Sequence, residues 1–218
     1  MTEAALRAAL VSAARDLDAR GLNRGAAGNL SVRCGEAMLI TPSAVPYHAL
    51  EPEMIARMPL DDPGGRWEGP RMPSTEWRFH RDLLRARPEF GAVVHTHAPW
   101  CTVMAVTRRP IPAVHYMIAA FGGADIRVAG YARFGTAALS EAVLQAMEGR
   151  SGCLMANHGA LTAAADLTRA CWLAGELEAL AHQYVHALGI GGPVLLSEAE
   201  VAEAAAAFAG YGVQGEDG

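Results

Sequence analysis

The chain has 218 residues, of which 51% are hydrophobic and 19% charged, with a formal net charge of −5. These values describe a globular chain long enough to bury a substantial core and exclude the clustered basic surface that nucleic acid requires. Cys34, Cys101, Cys153 and Cys171 form no C-x-x-C pair, which excludes a thiolate zinc ribbon and a disulfide framework, and all 18 cationic side chains are arginine.

Met1 to Arg20 has no uncharged stretch of the export type, and no window of about 18 apolar residues lacks charge. The expectation is a cytoplasmic protein without a membrane span. Thr2 caps a predicted first helix, in which Leu6, Leu10, Ala13 and Leu17 recur at helical spacing before Gly21. A small-residue turn at Gly25–Gly28 leads into a strand, Asn29–Arg33, whose alternation of Leu30 and Val32 with polar neighbours predicts a half-buried strand. A second strand, Met38–Thr41, stops at Pro42, and Ile55–Trp67 reads as two short strands around the turn cluster 61–65.

Ser74 or Thr75 is expected to cap a helix running to about Arg87, which Pro88 closes. Strand 92–97 follows, then a helix opened by Pro99 and running toward Val106. The chain reads as irregular from Ile111 to Gly123, as a strand at 126–129, a helix at 136–147 and a buried strand at 153–156. A long helix over 167–188, with Trp172 and Leu173 as core, and an alanine-rich helix over 197–209 complete the pattern. No linker, repeat or low-complexity block interrupts it, so one domain over 1–218 is expected. The intermingled short strand pairs argue for a mixed or largely antiparallel sheet flanked by helices. Neither G-x-G-x-x-G nor G-x-x-x-x-G-K-[ST] is present, which excludes the usual dinucleotide and P-loop sites.

His95-Thr96-His97 is the strongest chemical signal. Residues i and i+2 of a strand share a face, so both imidazoles can converge on a zinc, iron, nickel or copper ion. A solvated strand face explains the same pattern. His158, in Asn157-His158-Gly159, ends an apolar strand where a ligand is easily presented, although a turn histidine without a role fits too. Glu76 falls in the first turn of its predicted helix, where a carboxylate is favoured electrostatically and the free N–H groups with Ser74 and Thr75 make an anion site. Locally it reads as a capping acid. Together the three histidines and one carboxylate complete a four-ligand zinc set. His182 and His186 also have metal-compatible i, i+4 spacing, but no H-E-x-x-H surrounds them and a helix surface or interface explains them better.

These segments, taken in order, resemble the class II aldolase/adducin superfamily, and most closely its fuculose-1-phosphate aldolase branch. The matching stretches are Gly21–Gly25 with Ala27–Arg33, Met38–Pro42, Pro73–His80, Ala92–His97, Ile111–Ala120, Phe134–Thr136, Asn157–Gly159 and Phe208–Gly212. The resemblance implies a three-layer αβα sandwich around a central mixed, mainly antiparallel sheet. It implies reversible cleavage of a ketose 1-phosphate such as L-fuculose 1-phosphate into dihydroxyacetone phosphate and an aldehyde. 5-Deoxyribulose or 5-methylthioribulose 1-phosphate is the alternative substrate; a sugar-phosphate epimerase, dehydratase or decarboxylase, or a non-enzymatic adducin-like domain, are the other readings.

The resemblance further implies Zn2+, or another divalent transition metal, held by Glu76, His95, His97 and His158, with Glu76 doubling as acid/base at C3. Gly28, Asn29, Ser43, Ala44, Ser74 and Thr75 match the phosphate-binding positions. Tyr116, from the neighbouring subunit of a homotetramer with interface active sites, matches the residue that polarises the aldehyde. Phe134 walls the aldehyde end, and Tyr211 sits on a closing tail whose last residues, 212–218, are expected to be disordered. Two positions depart from the family pattern. Ala44 stands where the family's turn has glycine, and Arg133 stands where the fuculose branch has threonine. The absence of lysine excludes a Schiff-base aldolase, so the electrons of the broken C–C bond need a Lewis-acid sink.

Overall fold

A computed structural model describes residues 1–208, so Tyr211 and the expected disordered tail lie outside the described residues. Helix α1 (Glu3–Ala19) starts where Thr2 Oγ1 accepts the Ala5 N–H at 3.3 Å, and it buries Leu10, Val11, Ala14 and Leu17. Strands β1 (Asn29–Cys34) and β2 (Ala37–Ile40) form an antiparallel hairpin, and β3 (Ala56–Pro59) pairs with β2. The second strand expected near Trp67 is reduced to one bridge, Arg57 to Glu68.

Helix α2 (Trp77–Ala86), strand β4 (Ala92–Thr96) and helix α3 (Pro99–Thr107) follow. The stretch read as irregular contains a short strand, β5 (Ile111–Pro112), and a 3-10 segment, Tyr116–Phe121. The strand expected at 126–129 divides into β6 (Asp125–Ile126), which pairs with β5, and β7 (Val128–Ala129). Helix α4 (Ala137–Ala146) is capped by Thr136, whose Oγ1 accepts the Leu139 N–H. Strands β8 (Gly152–Met155) and β9 (Gly159–Ala164), then helices α5 (Leu167–Gly189) and α6 (Glu198–Phe208), complete the described chain. The sequence reading missed β9.

Among the described residues the main sheet has seven strands in the order β3-β2-β1-β4-β9-β8-β7, and only β7 with β8 runs parallel. Its two faces carry separate apolar clusters. Leu30, Val32 and Val94 pack with α1, α3 and α5, whereas Met38, Val93 and Leu161 pack with α2 and α4. This is the expected three-layer sandwich. It also corrects the half-buried reading of β1: helices cover both faces, so Leu30, Ser31 and Val32 are all buried and the alternation separates two cores. Leu173 is core as expected, but Trp172 is only half-buried, with Arg169 above its ring at 4.0 Å.

Helix α3 has no side-chain cap of its own. Glu178 on α5 supplies one across the fold, accepting the Trp100 N–H at 2.9 Å and the Cys101 N–H at 2.8 Å. This carboxylate fixes the helix that leaves the His95–His97 strand. Glu178→Ala is expected to lower stability by about 1–2 kcal/mol, read as a fall in the urea midpoint with unchanged m-value.

Candidate metal centre

Three chain segments meet at one end of the sheet. In β4, Val93 faces α2, so His95 two residues on faces the same way, and Phe79 of α2 meets its ring edge-on at 5.7 Å. His97 lies just beyond the strand, where its N–H donates to Asn23 Oδ1 at 3.0 Å. His158 occupies the tight connection between β8 and β9, which pair through Met155 and Gly159. Asn157 bends that connection at φ 54. Because β9 also pairs with β4, Ala160 beside Thr96, the hairpin tip delivers His158 to the two strand histidines. Gly159 has to be glycine: a Cβ there would stand 2.3 Å from the Thr96 carbonyl oxygen and close to both His97 and His95.

The three rings form a cluster with centroids 4.8–5.1 Å apart. One ligand atom from each lies within 4.8 Å of the others. Glu76 closes the set, with Oε2 3.3 Å from His95 Nε2 and Oε1 3.2 Å from His158 Nε2. Its position corrects the sequence reading. Glu76 is itself the N-cap residue of α2, which begins at Trp77 and has no side-chain cap. Ser74 Oγ instead accepts the Glu76 N–H at 3.2 Å, a local turn that aims the carboxylate at the histidines.

The proton inventory matches a bound cation. His95 Nδ1 lies 2.9 Å from the Ala160 carbonyl, which can only accept, so Nδ1 carries a proton and, in the neutral ring, Nε2 presents a lone pair. Burial first, then the neighbouring imidazole charge, pushes His97 and His158 down to about 4, so both are neutral near pH 7. His97 Nε2 then faces His95 Nε2 at 3.1 Å, and Glu76 Oε1 is buried without a hydrogen-bond donor. Burial alone raises the Glu76 carboxyl, but positive charge at His95 and His158 and the Asn29 amide outweigh it and hold the group well below the usual carboxylate range. With the histidines neutral that positive charge is missing, and a divalent transition metal would supply it; three imidazoles and one carboxylate, buried at His95 and Glu76 and open to the cavity at His97, fit such an ion.

The cluster opens into a cavity of about 440 Å3 lined by His97, His158 and Glu76. Its wall includes every residue matched to phosphate binding: Gly28, Asn29, Ser43, Ala44, Ser74 and Thr75. Backbone pairing gathers them, since the Ser43 N–H donates to Met72 O and the Ser74 N–H to Thr41 O, each at 3.0 Å. The Asn29 side chain also reaches the metal set, its Nδ2 donating to Glu76 Oε2 at 2.9 Å. Phe134 lines the cavity too and is 58% exposed.

Sequence reasoning did not assign Asn23, which braces His97, or Tyr131 and Ala132, which join Phe134 in the cavity wall. Arg133, noted only as a departure, is the one cation among the described lining residues. Tyr116 does not join the cluster within this chain. It is 53% exposed and lines a separate groove with Phe208, whose ring stacks on it at 6.0 Å. His182 and His186 are also apart, packed around Trp100 with ring centroids 4.6 and 5.0 Å away. No described helix is long and apolar enough to cross a membrane.

A model of the family described as Class II Aldolase and Adducin N-terminal domain matches residues 8–185. A relative from Rhodospirillum rubrum, a 5-methylthioribulose-1-phosphate/5-deoxyribulose-1-phosphate aldolase, is 51% identical over 95% of this chain and 93% of its own length. An L-fuculose phosphate aldolase from Escherichia coli is 46% identical over 90% of this chain and 91% of its own. A solved L-fuculose 1-phosphate aldolase superposes with a TM-score of 0.90 at 37% identity, covering 94% of this chain and 96% of that one.

The departure at Ala44 is visible in the backbone: φ is 57, the left-handed region, and the residue is exposed. An alanine Cβ is strained there and glycine is not. Ala44→Gly is expected to raise stability by about 0.5–1 kcal/mol, checked as a higher urea midpoint.

Proposed function

The chain belongs to the class II aldolase and adducin family and is an aldolase, a carbon–carbon lyase, and we propose that it splits a deoxyketose 1-phosphate reversibly into dihydroxyacetone phosphate and an aldehyde. The observation that carries this reading is the placement of one carboxylate and three imidazoles beside a cavity whose wall holds neutral hydrogen-bond donors and one cation, Arg133. Zinc is the proposed metal, since nitrogen ligands with one carboxylate suit it. When bound, it supplies Lewis-acid stabilisation of the negative charge that develops as the C3–C4 bond breaks.

The protein's own groups handle orientation and protons. The Ser43 and Ser74 hydroxyls, Thr75, the Asn29 amide and the backbone at Gly28 and Ala44 hold the phosphate. In the cleavage direction the C4 hydroxyl loses its proton, the C3–C4 electron pair moves toward the C2 carbonyl, and the aldehyde leaves. Glu76, held as a carboxylate beside the reacting carbon, accepts and returns the C3 proton. Tyr116 of a second copy handles the proton on the C4 oxygen, in a homotetramer whose sites lie at subunit contacts. Its exposed position in a groove away from its own cluster supports that assignment. Tyr211 is proposed to close over the same end, and a cytoplasmic location accords with metabolism of a phosphorylated sugar.

L-Fuculose 1-phosphate is the first substrate to try. The wall formed by Tyr131, Ala132 and Phe134 favours a second reading in which C5 carries hydrogen or a methylthio group, as in 5-deoxyribulose or 5-methylthioribulose 1-phosphate. Coupled measurement of dihydroxyacetone phosphate release across these three compounds tests both. Activity is expected to disappear with EDTA, return with Zn2+ and survive borohydride, which traps Schiff bases. Activity that persists in metal-free protein overturns the reading.

Glu76→Gln is expected to slow exchange of the C3 proton of dihydroxyacetone phosphate by about 10²–10⁴-fold in metal-loaded protein, followed by loss of the hydrogen isotope label. Exchange at the wild-type rate removes Glu76 from the proton transfer. Co-refolding of Tyr116→Phe chains with Glu76→Gln chains is expected to restore activity that neither variant shows alone, because mixed contacts contain one intact site. No recovery confines each site to one chain.

A further inference from the structure

We propose that His80 is a positioning residue for the metal centre, holding the Asn29 amide so that its NH2 group faces Glu76. The inference rests on the metal role proposed above for Glu76 and the three histidines. His80 sits one helical turn after Glu76 on α2, fully buried and stacked on Phe79 at 4.8 Å. It does not line the cavity and stands outside the three-histidine cluster. A buried imidazole nevertheless needs partners for both nitrogens. Nδ1 lies 2.8 Å from Ser31 Oγ, and Nε2 meets Asn29 Oδ1.

The direction of each bond follows from the carboxylate. Glu76 Oε2 can only accept, so the Asn29 nitrogen must be the atom that faces it at 2.9 Å. That turns Asn29 Oδ1 toward His80, which must then donate from Nε2. A neutral imidazole with its proton on Nε2 has an acceptor at Nδ1, and the Ser31 hydroxyl donates there. Burial pushes His80 down to about 3, so the ring has one proton to place, and the chain leaves one place for it. Ser31 on β1, His80 on α2 and Asn29 on β1 thus form a one-way series of donors ending on Glu76.

The consequence is mechanical. An asparagine amide has nearly the same shape after a half-turn, and the reversed orientation would set a carbonyl oxygen against the carboxylate. The carboxylate opposes that reversal from one side, and the Nε2–H of His80, which needs an acceptor, opposes it from the other. With that N–H in place, Glu76 is held by a donor on the side away from its free oxygen Oε1, and the carboxylate keeps one orientation toward His95 and His158. Partners behind the ligands typically change metal affinity by about 10–100-fold when removed.

Two measurements test the role. Long-range 1H–15N spectra of the wild-type protein are expected to show His80 protonated at Nε2 and bare at Nδ1; the opposite tautomer overturns the proposal. Zinc affinity of the metal-stripped protein, measured by competition with a chromophoric chelator, is then compared for wild type, His80→Gln and His80→Leu, alongside thermal midpoints. Glutamine keeps a donor near the Nε2 position, so His80→Gln is expected to stay close to wild type, whereas His80→Leu is expected to lose about 10–100-fold. Equal affinities for the two variants, whether both high or both low, reduce His80 to packing and overturn the proposal. If His80→Leu does not fold, Ser31→Ala is read in its place: a weaker site with altered His80 tautomer supports the role, and no change in either overturns it. A wild-type protein that takes up no zinc overturns the metal reading itself and the role of His80 with it.

Discussion

Burying the Glu76 carboxylate costs several kcal/mol unless positive charge and donors meet it, and the surrounding architecture is arranged to meet it. One oxygen takes the Asn29 amide. The other is left facing His158, with no donor of its own. Beside it, the bond to Ala160 leaves Nε2 of a neutral His95 ring free as a donor atom for an ion, and burial keeps His97 and His158 neutral. A bound metal ion would reconcile these groups. The sheet order, the hairpin tip at His158 and the N-terminus of α2 all serve to bring this one charge and its neighbours together.

The chemistry of the family follows from the same balance. An aldolase needs somewhere to put electrons when a C–C bond breaks, and a chain without lysine has no Schiff base to offer. What it has instead is a centre able to hold concentrated positive charge beside a carboxylate that can move a proton. The described cavity wall offers the proposed phosphate hydroxyls, an amide and backbone N–H groups, with Arg133 its single cation. Neutral donors in a fixed frame select geometry as well as charge, which suits recognition of one end of a sugar.

Much of this was legible in the sequence, and the exceptions have physical causes. The His95 and His97 spacing gave a shared strand face, and the structure places both imidazoles in one cluster. Strand β9 escaped notice because Gly-Ala-Leu-Thr-Ala-Ala has small side chains and little intrinsic strand preference, and its pairing with β4 and β8 overrides that weakness. His158 was therefore seen at a strand end when it is in fact at a hairpin tip. Ser74 and Thr75 looked like caps because their hydroxyls precede an amphipathic helix, yet α2 starts one residue after Glu76, whose own backbone takes the cap position. His80 carries no periodic signal at all. Its role depends on Asn29, which is 51 residues away, and only the fold brings the two together.

The metal set draws on α2, β4 and the connection between β8 and β9, so 82 positions of chain separate Glu76 from His158 (158 − 76). No local segment contains it, and β9 must already lie between β4 and β8 before the histidines meet. An unfolded or half-assembled chain consequently has no comparable affinity for the ion. Binding energy is then collected only by the finished fold, and it adds to native stability in proportion to the logarithm of free metal. Under the proposed metal role, metal supply would govern two properties at once: how much enzyme is active, and how long each molecule resists unfolding and the proteases that follow it.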